Sequence, residues 1–344
     1  MANFSSLIQD WFRQNERNLP WRENKNPYFI WLSEIMLQQT RVDQATNYFL
    51  AFKEKYPTIS DLANAPEDEV LNLWQGLGYY SRARNLHATA KIVHEKYDGV
   101  FPEDYKSILA LKGVGEYTAA AIGSIAFGLP YAVIDGNVYR VLSRYFNIDL
   151  PIDSTEGIKH FKTLAQELLD TSNSGNYNQA IMEFGALQCT PKNPDCENCP
   201  LNVSCEGLAQ KNQLNLPVKA KKTKVRKRFI NYVVLTDGEH TLIKKRGTKD
   251  IWGGLYDFPG NDQFDKSIGI MDLIEAYKPQ KHYLDRELNH VLSHQKLKVK
   301  FWIFEVEKLI STEYEKVKID SMDNFPMPQL LVKYLKASNF FGNL

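Results

Sequence analysis

Four cysteines lie in one short window, and the rest of the chain has none. They are Cys189, Cys196, Cys199 and Cys205, in the spacing C-x6-C-x2-C-x5-C. We find no apolar run of membrane length and no secretory leader, so we expect a cytoplasmic protein. In that compartment clustered thiols predict a metal centre rather than disulfides. Zinc is the simplest occupant, although zinc modules usually combine two C-x2-C pairs and this window has one.

A glycine-rich turn precedes a helical pattern in the segment from Leu111 to Ala121. Gly113 and Gly115 bracket a small apolar residue. Such glycines allow a tight turn whose amides face outward at a helix N-terminus, which suits a DNA phosphate. A structural turn between two helices is the alternative, and a lone G-x-G pattern would favour it.

Two carboxylates stand out by their surroundings. Asp135 follows an apolar pair and opens a helix, with Asn137 two residues further on. Asp135 could simply cap that helix. Glu34 lies within a mostly apolar helical segment. It is therefore either at the solvent edge or in a pocket that raises its pKa.

The elements that position these residues change type along the chain. Up to about Ala209 the apolar residues follow the helical period, which predicts an all-α region. The predicted helices cover 29–39, 43–55, 67–74, 79–96, 116–127, 136–146, 155–171 and 177–187. Further on, strand patterns at 229–235, 241–243 and 298–304 join helical patterns near 268–277 and 328–336. This second region is predicted to be α+β.

The length of 344 residues is sufficient for a multidomain protein, and its net charge of +1 neither demands nor forbids nucleic acid. We predict a catalytic domain at 1–209 that includes the cysteine loop 189–205, and a second domain at 229–344. The basic segment 210–228 is interpreted as a solvated linker, and whether it touches DNA is left open.

Together these segments resemble the helix-hairpin-helix DNA glycosylase superfamily and, within it, the adenine glycosylases of base excision repair. The resemblance covers almost the whole chain. It rests on Leu19 to Arg22, Trp31 to Thr40, Gly76 to Arg82, the glycine turn, Asp135 to Val138, and the cysteine spacing. It implies a monomer that binds double-stranded DNA, flips a base out of the stack, and works in the nucleoid-associated cytoplasm.

The resemblance also implies the chemistry. Glu34 would protonate adenine N7, and Asp135 would stabilise the cationic sugar, with Tyr117 and Asn137 orienting the pair. Tyr117 stands where lyase relatives carry a lysine, so no amine nucleophile is expected. The cysteine spacing is similar to the 4Fe-4S site of the superfamily. The cluster would hold the segment around Lys192 in shape and take no part in bond breaking.

By the same resemblance, the residues that would bind DNA are spread over several segments of the chain. Arg22 and Glu183 would read the extruded base. Gly113 and Gly115 would hold a DNA phosphate, and Thr40 would also contact DNA. Gln39, Leu77 and Tyr79 would wedge beside the lesion and hold the opposite strand. For Leu77, ordinary helix packing is a serious alternative.

Residues 229–344 resemble a MutT-like domain of the Nudix fold, notably from Trp252 to Gly260. The Glu-rich box that holds magnesium in Nudix hydrolases does not follow Gly260, so recognition is expected rather than pyrophosphate cleavage. Ser293 and His294 match a loop that reads 8-oxoguanine, although Leu292 stands where that loop usually has phenylalanine.

The sequence therefore predicts an enzyme that hydrolyses the N-glycosidic bond of adenine opposite 8-oxoguanine, and also in A:G pairs, without strong lyase activity. One rival is a thymine or uracil mismatch glycosylase of the same superfamily. The other is a catalytically silent DNA-binding module, against which the intact pair Glu34 and Asp135 argues.

Overall fold

The computed structural model describes residues 2–220, 225–264, 271–310, 313–338 and 340–341. The chain divides into two compact units. Unit 1 comprises Met1–Asn64 and Asn85–Lys222, and unit 2 comprises Ala65–Arg84 and Thr223–Leu344. No helix within the described ranges is both long and apolar enough to span a bilayer.

Helices make up the regular structure of unit 1 and begin unit 2. In chain order they are α1 (Ala2–Asn15), α2 (Pro27–Leu37), α3 (Val42–Lys55), α4 (Ile59–Asn64), α5 (Glu67–Leu73), α6 (Ser81–Lys96), α7 (Tyr105–Leu109), α8 (Glu116–Phe127), α9 (Gly136–Tyr145), α10 (Thr155–Leu168), α11 (Ser174–Leu187) and α12 (Glu206–Ala209). The predicted helices are therefore confirmed to within a few residues at each end.

Local sequence explains where the helices of unit 1 begin and end. Asn26 caps α2 by accepting a hydrogen bond from Tyr28 N, and proline occupies the first turn. Gly128 ends α8 with a left-handed φ of 68°. A core that includes Ile8, Phe161 and Phe184 joins α1, α10 and α11, with α9 packed among them. These helices form the rigid support of the carboxylates described below.

Among its described residues, unit 2 contains a seven-stranded sheet and the helices α13 and α14 in addition to α5. Its elements are β1 (Arg226–Thr236), β2 (His240–Lys245), β3 (Tyr256–Asp257), β4 (Gly260–Phe264), α13 (Met271–Tyr277), β5 (Lys281–Val291), β6 (Gln295–Glu305), β7 (Glu315–Lys318) and α14 (Gln329–Ala337). The strand order is β3-β2-β1-β6-β5, with β4 also paired to β1 and β7 to β2. Only the β1–β6 pair is parallel among these described pairings.

The alternation of side chains along β1 and β6 covers both faces of the sheet. Leu297, Val299 and Phe301 point to the core beneath α14, where Phe301 stacks on Tyr334 with ring centroids 3.7 Å apart. On the opposite face Val233 lies in a smaller cluster that includes residues of α13. The predicted α+β second region is confirmed.

The C-terminal end of the predicted basic linker is part of a strand in the structure. Lys221, Lys222 and Lys224 lie outside the described residues, whereas Arg226 to Arg228 form the start of β1. The interpretation as solvated chain is wrong for Arg228, which is only 4% exposed. A run of charged residues gives no apolar alternation by which a strand could be predicted. In a strand every second side chain nevertheless points to the same face, whatever its charge. The bounds 1–209, 210–228 and 229–344 stay a prediction, while residues 65–84 group with unit 2.

Candidate active site

Glu34 projects from α2 into a pocket rather than to the solvent edge. Its residue is 8% exposed, and its neighbours Trp31 and Ile35 are buried. Burial raises the pKa of Glu34 to about 7, although a hydrogen bond from Tyr117 acts in the opposite direction. The Tyr117 hydroxyl donates to Glu34 Oε2 at 2.7 Å. Glu34 can therefore hold or release a proton near neutral pH.

The glycine turn places Tyr117 at the start of α8. Gly113 adopts a φ of 78°, and a Cβ there would lie 2.8 Å from Asn85 Cβ, so only glycine fits without rearrangement. Gly115 caps α8 with open space around its Cβ position. Burial and two nearby carboxylates raise the pKa of Tyr117 well above its ordinary value. Tyr117 thus remains a neutral hydrogen-bond donor.

Asp135 caps α9, as one reading of the sequence predicted, and the same side chain faces the cavity. Its Oδ1 accepts the backbone N–H groups of Asn137 at 2.9 Å and Val138 at 2.8 Å. Its Oδ2 accepts Asn137 Nδ2 at 2.7 Å. Burial raises the pKa of Asp135 above its ordinary value, and these hydrogen bonds offset only part of that effect. The side chain of Asp135 can therefore cap α9 and face the cavity at the same time.

A chain of hydrogen bonds leads from Asp135 toward the cysteine loop. Arg140 Nη2 donates to Asn137 Oδ1 at 2.8 Å, and Arg140 Nε donates to the Cys189 carbonyl at 2.7 Å. A third bond of 2.6 Å joins Arg140 to the Gly185 carbonyl. Arg140 is 8% exposed, so the link lies inside unit 1. Sequence reasoning missed Arg140, although a cation on the apolar face of α9 was a usable signal.

Glu183 is held between two arginines. Arg17 makes a two-point contact with its carboxylate, both bonds 2.7 Å long, and Arg22 Nη2 donates at 3.1 Å. Burial would raise the pKa of Glu183, but the two arginines more than offset it and lower the pKa to about 2. Arg17 was not predicted, because it is 166 residues from its partner and lies in a polar stretch without pattern.

These side chains surround one cavity of about 660 Å³ in unit 1. It brings together most of the predicted residues of this unit, namely Arg22, Glu34, Gln39, Thr40, Gly115, Tyr117, Asp135, Asn137 and Glu183. Arg17, Gln179 and Met182 also line it. Gly113 shapes the turn and is not among the lining residues. A proton donor, an anion and an arginine-bound carboxylate thus face a shared space.

The remaining predicted contacts meet in a second cavity, of about 460 Å³, within unit 2. Leu77, Tyr79, Ser293 and His294 all line it. Leu77 is 6% exposed, as packing predicts, whereas Tyr79 is 43% exposed. Tyr79 also has a φ of 48°, a strained value for a bulky residue. Ser293 Oγ and His294 Nδ1 are 3.2 Å apart.

The four cysteines are free thiols that line one small cavity with Arg144. Arg144 Nη1 lies 3.5 Å from Cys189 Sγ, and Cys205 Sγ lies 3.5 Å from the Arg144 carbonyl. Over the described ranges, no three His, Cys, Asp or Glu side chains are arranged to hold a metal ion. The donor set of four half-buried thiols around one space nevertheless fits a thiolate-bound group.

Each of the two regions of the chain matches a known protein family. Residues 32–167 match the family model described as HhH-GPD superfamily base excision DNA repair protein, and residues 231–337 match that of the NUDIX domain. An adenine DNA glycosylase of Buchnera aphidicola subsp. Schizaphis graminum (strain Sg) is 37% identical over 292 residues, 85% of this chain and 84% of the relative. A human adenine DNA glycosylase is 42% identical over 222 residues, 62% of this chain and 41% of that one.

A solved structure supports the same fold. The structure of a thermostable thymine-DNA glycosylase is 32% identical, with a TM-score of 0.56, and the match covers 60% of this chain and 95% of that one. The helical scaffold of unit 1 therefore occurs in solved glycosylases.

Proposed function

Since this chain belongs to the adenine DNA glycosylase family, we propose that it removes adenine mispaired with 8-oxoguanine, and adenine in A:G pairs, leaving an abasic site. Membership of this family establishes that the chain is an adenine DNA glycosylase of base excision repair. The observation that supports excision of adenine is the buried Glu34, hydrogen-bonded to Tyr117, in the same cavity as Asp135. The preference for 8-oxoguanine is proposed from the cavity lined by Ser293 and His294.

Glu34 is the general acid of the reaction. Adenine leaves poorly unless it is protonated, so excision needs a carboxylic acid that still holds its proton near neutral pH. A pKa raised to about 7 meets that need, because the carboxyl group then still holds its proton in part of the population near neutral pH. Tyr117 fixes the carboxyl group in the direction from which it transfers its proton to N7.

Asp135 stabilises the sugar after the bond begins to break. The sugar becomes oxocarbenium-like, and a carboxylate beside it lowers the energy of that cation as in glycoside hydrolysis. Three N–H donors hold the carboxylate of Asp135 in place. Since the position that carries lysine in lyase relatives is Tyr117, water completes the reaction and the strand stays intact.

Arg17, Arg22 and Glu183 form the base-reading wall. The ion pairs keep Glu183 ionised and fixed in orientation, so it can accept hydrogen bonds but cannot donate them. Gln39 and Thr40 also line this cavity, and Gln39 wedges beside the lesion when the base leaves the stack.

Cys189, Cys196, Cys199 and Cys205 hold a 4Fe-4S cluster. When bound, the cluster supplies thiolate-ligated iron that holds the loop 189–205 in shape and presents Lys192 to DNA. Arg144 supports this loop by donating to the carbonyls of Thr190 and Pro191 at 2.7 and 3.2 Å.

The second cavity reads the base opposite the adenine. Ser293 and His294 supply polar contacts to 8-oxoguanine, and Tyr79 inserts beside it. The match of residues 231–337 to the Nudix-domain model supports this assignment.

A gel assay on duplexes carrying A:8-oxoguanine, A:G, T:G and U:G tests the proposal. We expect product from the two adenine pairs, with A:8-oxoguanine the faster, and strand breaks only after alkali. Faster processing of T:G or U:G would favour the thymine or uracil rival. Breaks without alkali would refute the absence of lyase activity.

A further inference from the structure

Arg228 is a buried cation outside the site described for catalysis, and each of its N–H groups has an acceptor. Nε and Nη2 contact both oxygens of Asp262, and Nη1 and Nη2 contact both oxygens of Asp250. The remaining N–H on Nη1 donates to Gln295 Oε1 at 3.4 Å. An arginine fork satisfied in this way is fixed in position, which a lysine could not reproduce.

Asp250 connects this guanidinium to one wall of the second cavity. It lies in a loop closed by hydrogen bonds from Arg246 N to the Leu255 carbonyl, 2.8 Å, and from Gly254 N to the Arg246 carbonyl, 2.9 Å. The loop carries Trp252, which has a left-handed φ of 58°. Asp250 and Trp252 both line the cavity.

Gln295 connects the same guanidinium to the part of the cavity lining formed by Leu292, Ser293 and His294. Its carbonyl accepts Leu292 N at 2.8 Å, which closes the turn that carries Ser293 and His294. The Gln295 residue is only 7% exposed, so its contact with Arg228 is shielded from water. Backbone N of Arg226 adds a bond of 3.1 Å to the His294 carbonyl. Both walls are therefore tied to the start of β1.

We propose that Arg228 is a positioning residue that sets the separation between the Trp252 loop and the Ser293–His294 turn, and thereby the preference for 8-oxoguanine over guanine. This inference rests on the proposed function of the second cavity. The two bases differ at few atoms, so discrimination depends on donors held within a fraction of an ångström. A displacement of about 1 Å is sufficient to lose much of such a preference.

Asp262 provides a matched control for Asp250. Both carboxylates make two-point contacts with Arg228, but Asp262 belongs to β4 and is not among the residues that line the cavity. The side chain of Asp262 is 24% exposed and that of Asp250 is 43% exposed, so each Asp→Asn substitution leaves a partly solvated amide. If the network only held the fold together, both substitutions would lower the unfolding temperature and neither would change the ratio of affinities for 8-oxoguanine and guanine.

The test measures dissociation constants for duplexes with 8-oxoguanine or guanine opposite a non-cleavable adenosine analogue, together with thermal unfolding. We expect Asp250→Asn to reduce the preference for 8-oxoguanine by about tenfold or more, and Asp262→Asn to leave it within about twofold. If Asp250→Asn does not fold, Gln295→Met keeps both ion pairs, and the same direction of change is expected.

The same measurements separate failure of the proposed cavity function from failure of the proposed role of Arg228. Wild-type protein without a preference for 8-oxoguanine would refute the proposed function of the cavity. A wild-type preference that Asp250→Asn retains, or that both aspartate variants lose equally, would leave that function standing and overturn the role of Arg228.

Discussion

The hydroxyl of Tyr117 donates a 2.7 Å hydrogen bond to Oε2 of Glu34, joining the first turn of α8 to the buried face of α2. The bond favours the carboxylate form of Glu34, while burial favours the protonated form, and burial is the larger effect. The balance holds the pKa of Glu34 near the pH at which a general acid works best.

Substitution of Tyr117 by phenylalanine removes the bond that lowers the pKa of Glu34. We therefore expect the pKa to rise, so that excision by Tyr117→Phe persists to higher pH than in the wild type. The maximal rate should fall by about tenfold or less, because orientation is lost while the acid remains. Single-turnover rates from pH 5 to pH 9 would show this, and a shift of the alkaline limb to lower pH would refute it.

Loss of either carboxyl that we assign to catalysis should slow excision strongly without weakening DNA binding. We expect Glu34→Gln and Asp135→Asn each to slow adenine release by about 10²–10⁴, since one lacks the proton and the other the anion. Glu116→Gln is a matched control, because that glutamate is exposed on the same helix as Tyr117. Full activity in either of the first two variants, measured under single-turnover conditions, would overturn the assigned roles.

The ion pairs of Glu183 make stability depend on pH. Its pKa of about 2 lies below the ordinary value of 4.5, so the unfolded chain binds more protons between these values. The stabilisation is therefore present above about pH 4.5 and disappears as the pH falls through 2. We expect Glu183→Gln to cost about 2–3 kcal/mol at pH 7, allowing for the partial exposure of Arg17.

Urea denaturation of Glu183→Gln at pH 7 and pH 3 measures this difference, with Glu167→Gln on the exposed face of α10 as the control. The gap between wild type and Glu183→Gln should narrow at the lower pH. An equal gap at both values would show that the carboxylate charge contributes nothing.

Iron should account for the metal content of the protein. We expect purified protein to contain iron and sulfide in equal amounts with a visible absorbance band, and Cys199→Ser to lose both. Elemental analysis that found zinc instead, without visible colour, would exclude the 4Fe-4S assignment.

Local patterns predicted the helices that support the active site because apolar periodicity and caps act over a few residues. Asp135 illustrates this, since its capping role is visible within three residues of sequence. Glu34 was ambiguous, because a single helix does not show which of its faces is covered. Only the packing of α8 against α2 determines that this carboxyl is buried.

Long-range partners could not be predicted from pattern. Arg17 pairs with Glu183 across 166 residues, and nothing near Arg17 marks it. The sequence pattern predicted Arg228 to be one of several solvated cations. In the structure its side chain points inward from β1 and pairs with Asp250 and Asp262. The grouping of residues 65–84 with unit 2 likewise depends on contacts made far along the chain, as between Tyr80 and Met327.

The role of Glu34 as the acid is tested most directly by the wild-type rate of adenine release from A:8-oxoguanine duplexes as a function of pH. With a pKa of about 7 for Glu34, the single-turnover rate should be nearly constant at lower pH and fall about tenfold per unit above that value. A rate that stayed constant to pH 9 would show that Glu34 does not deliver the proton.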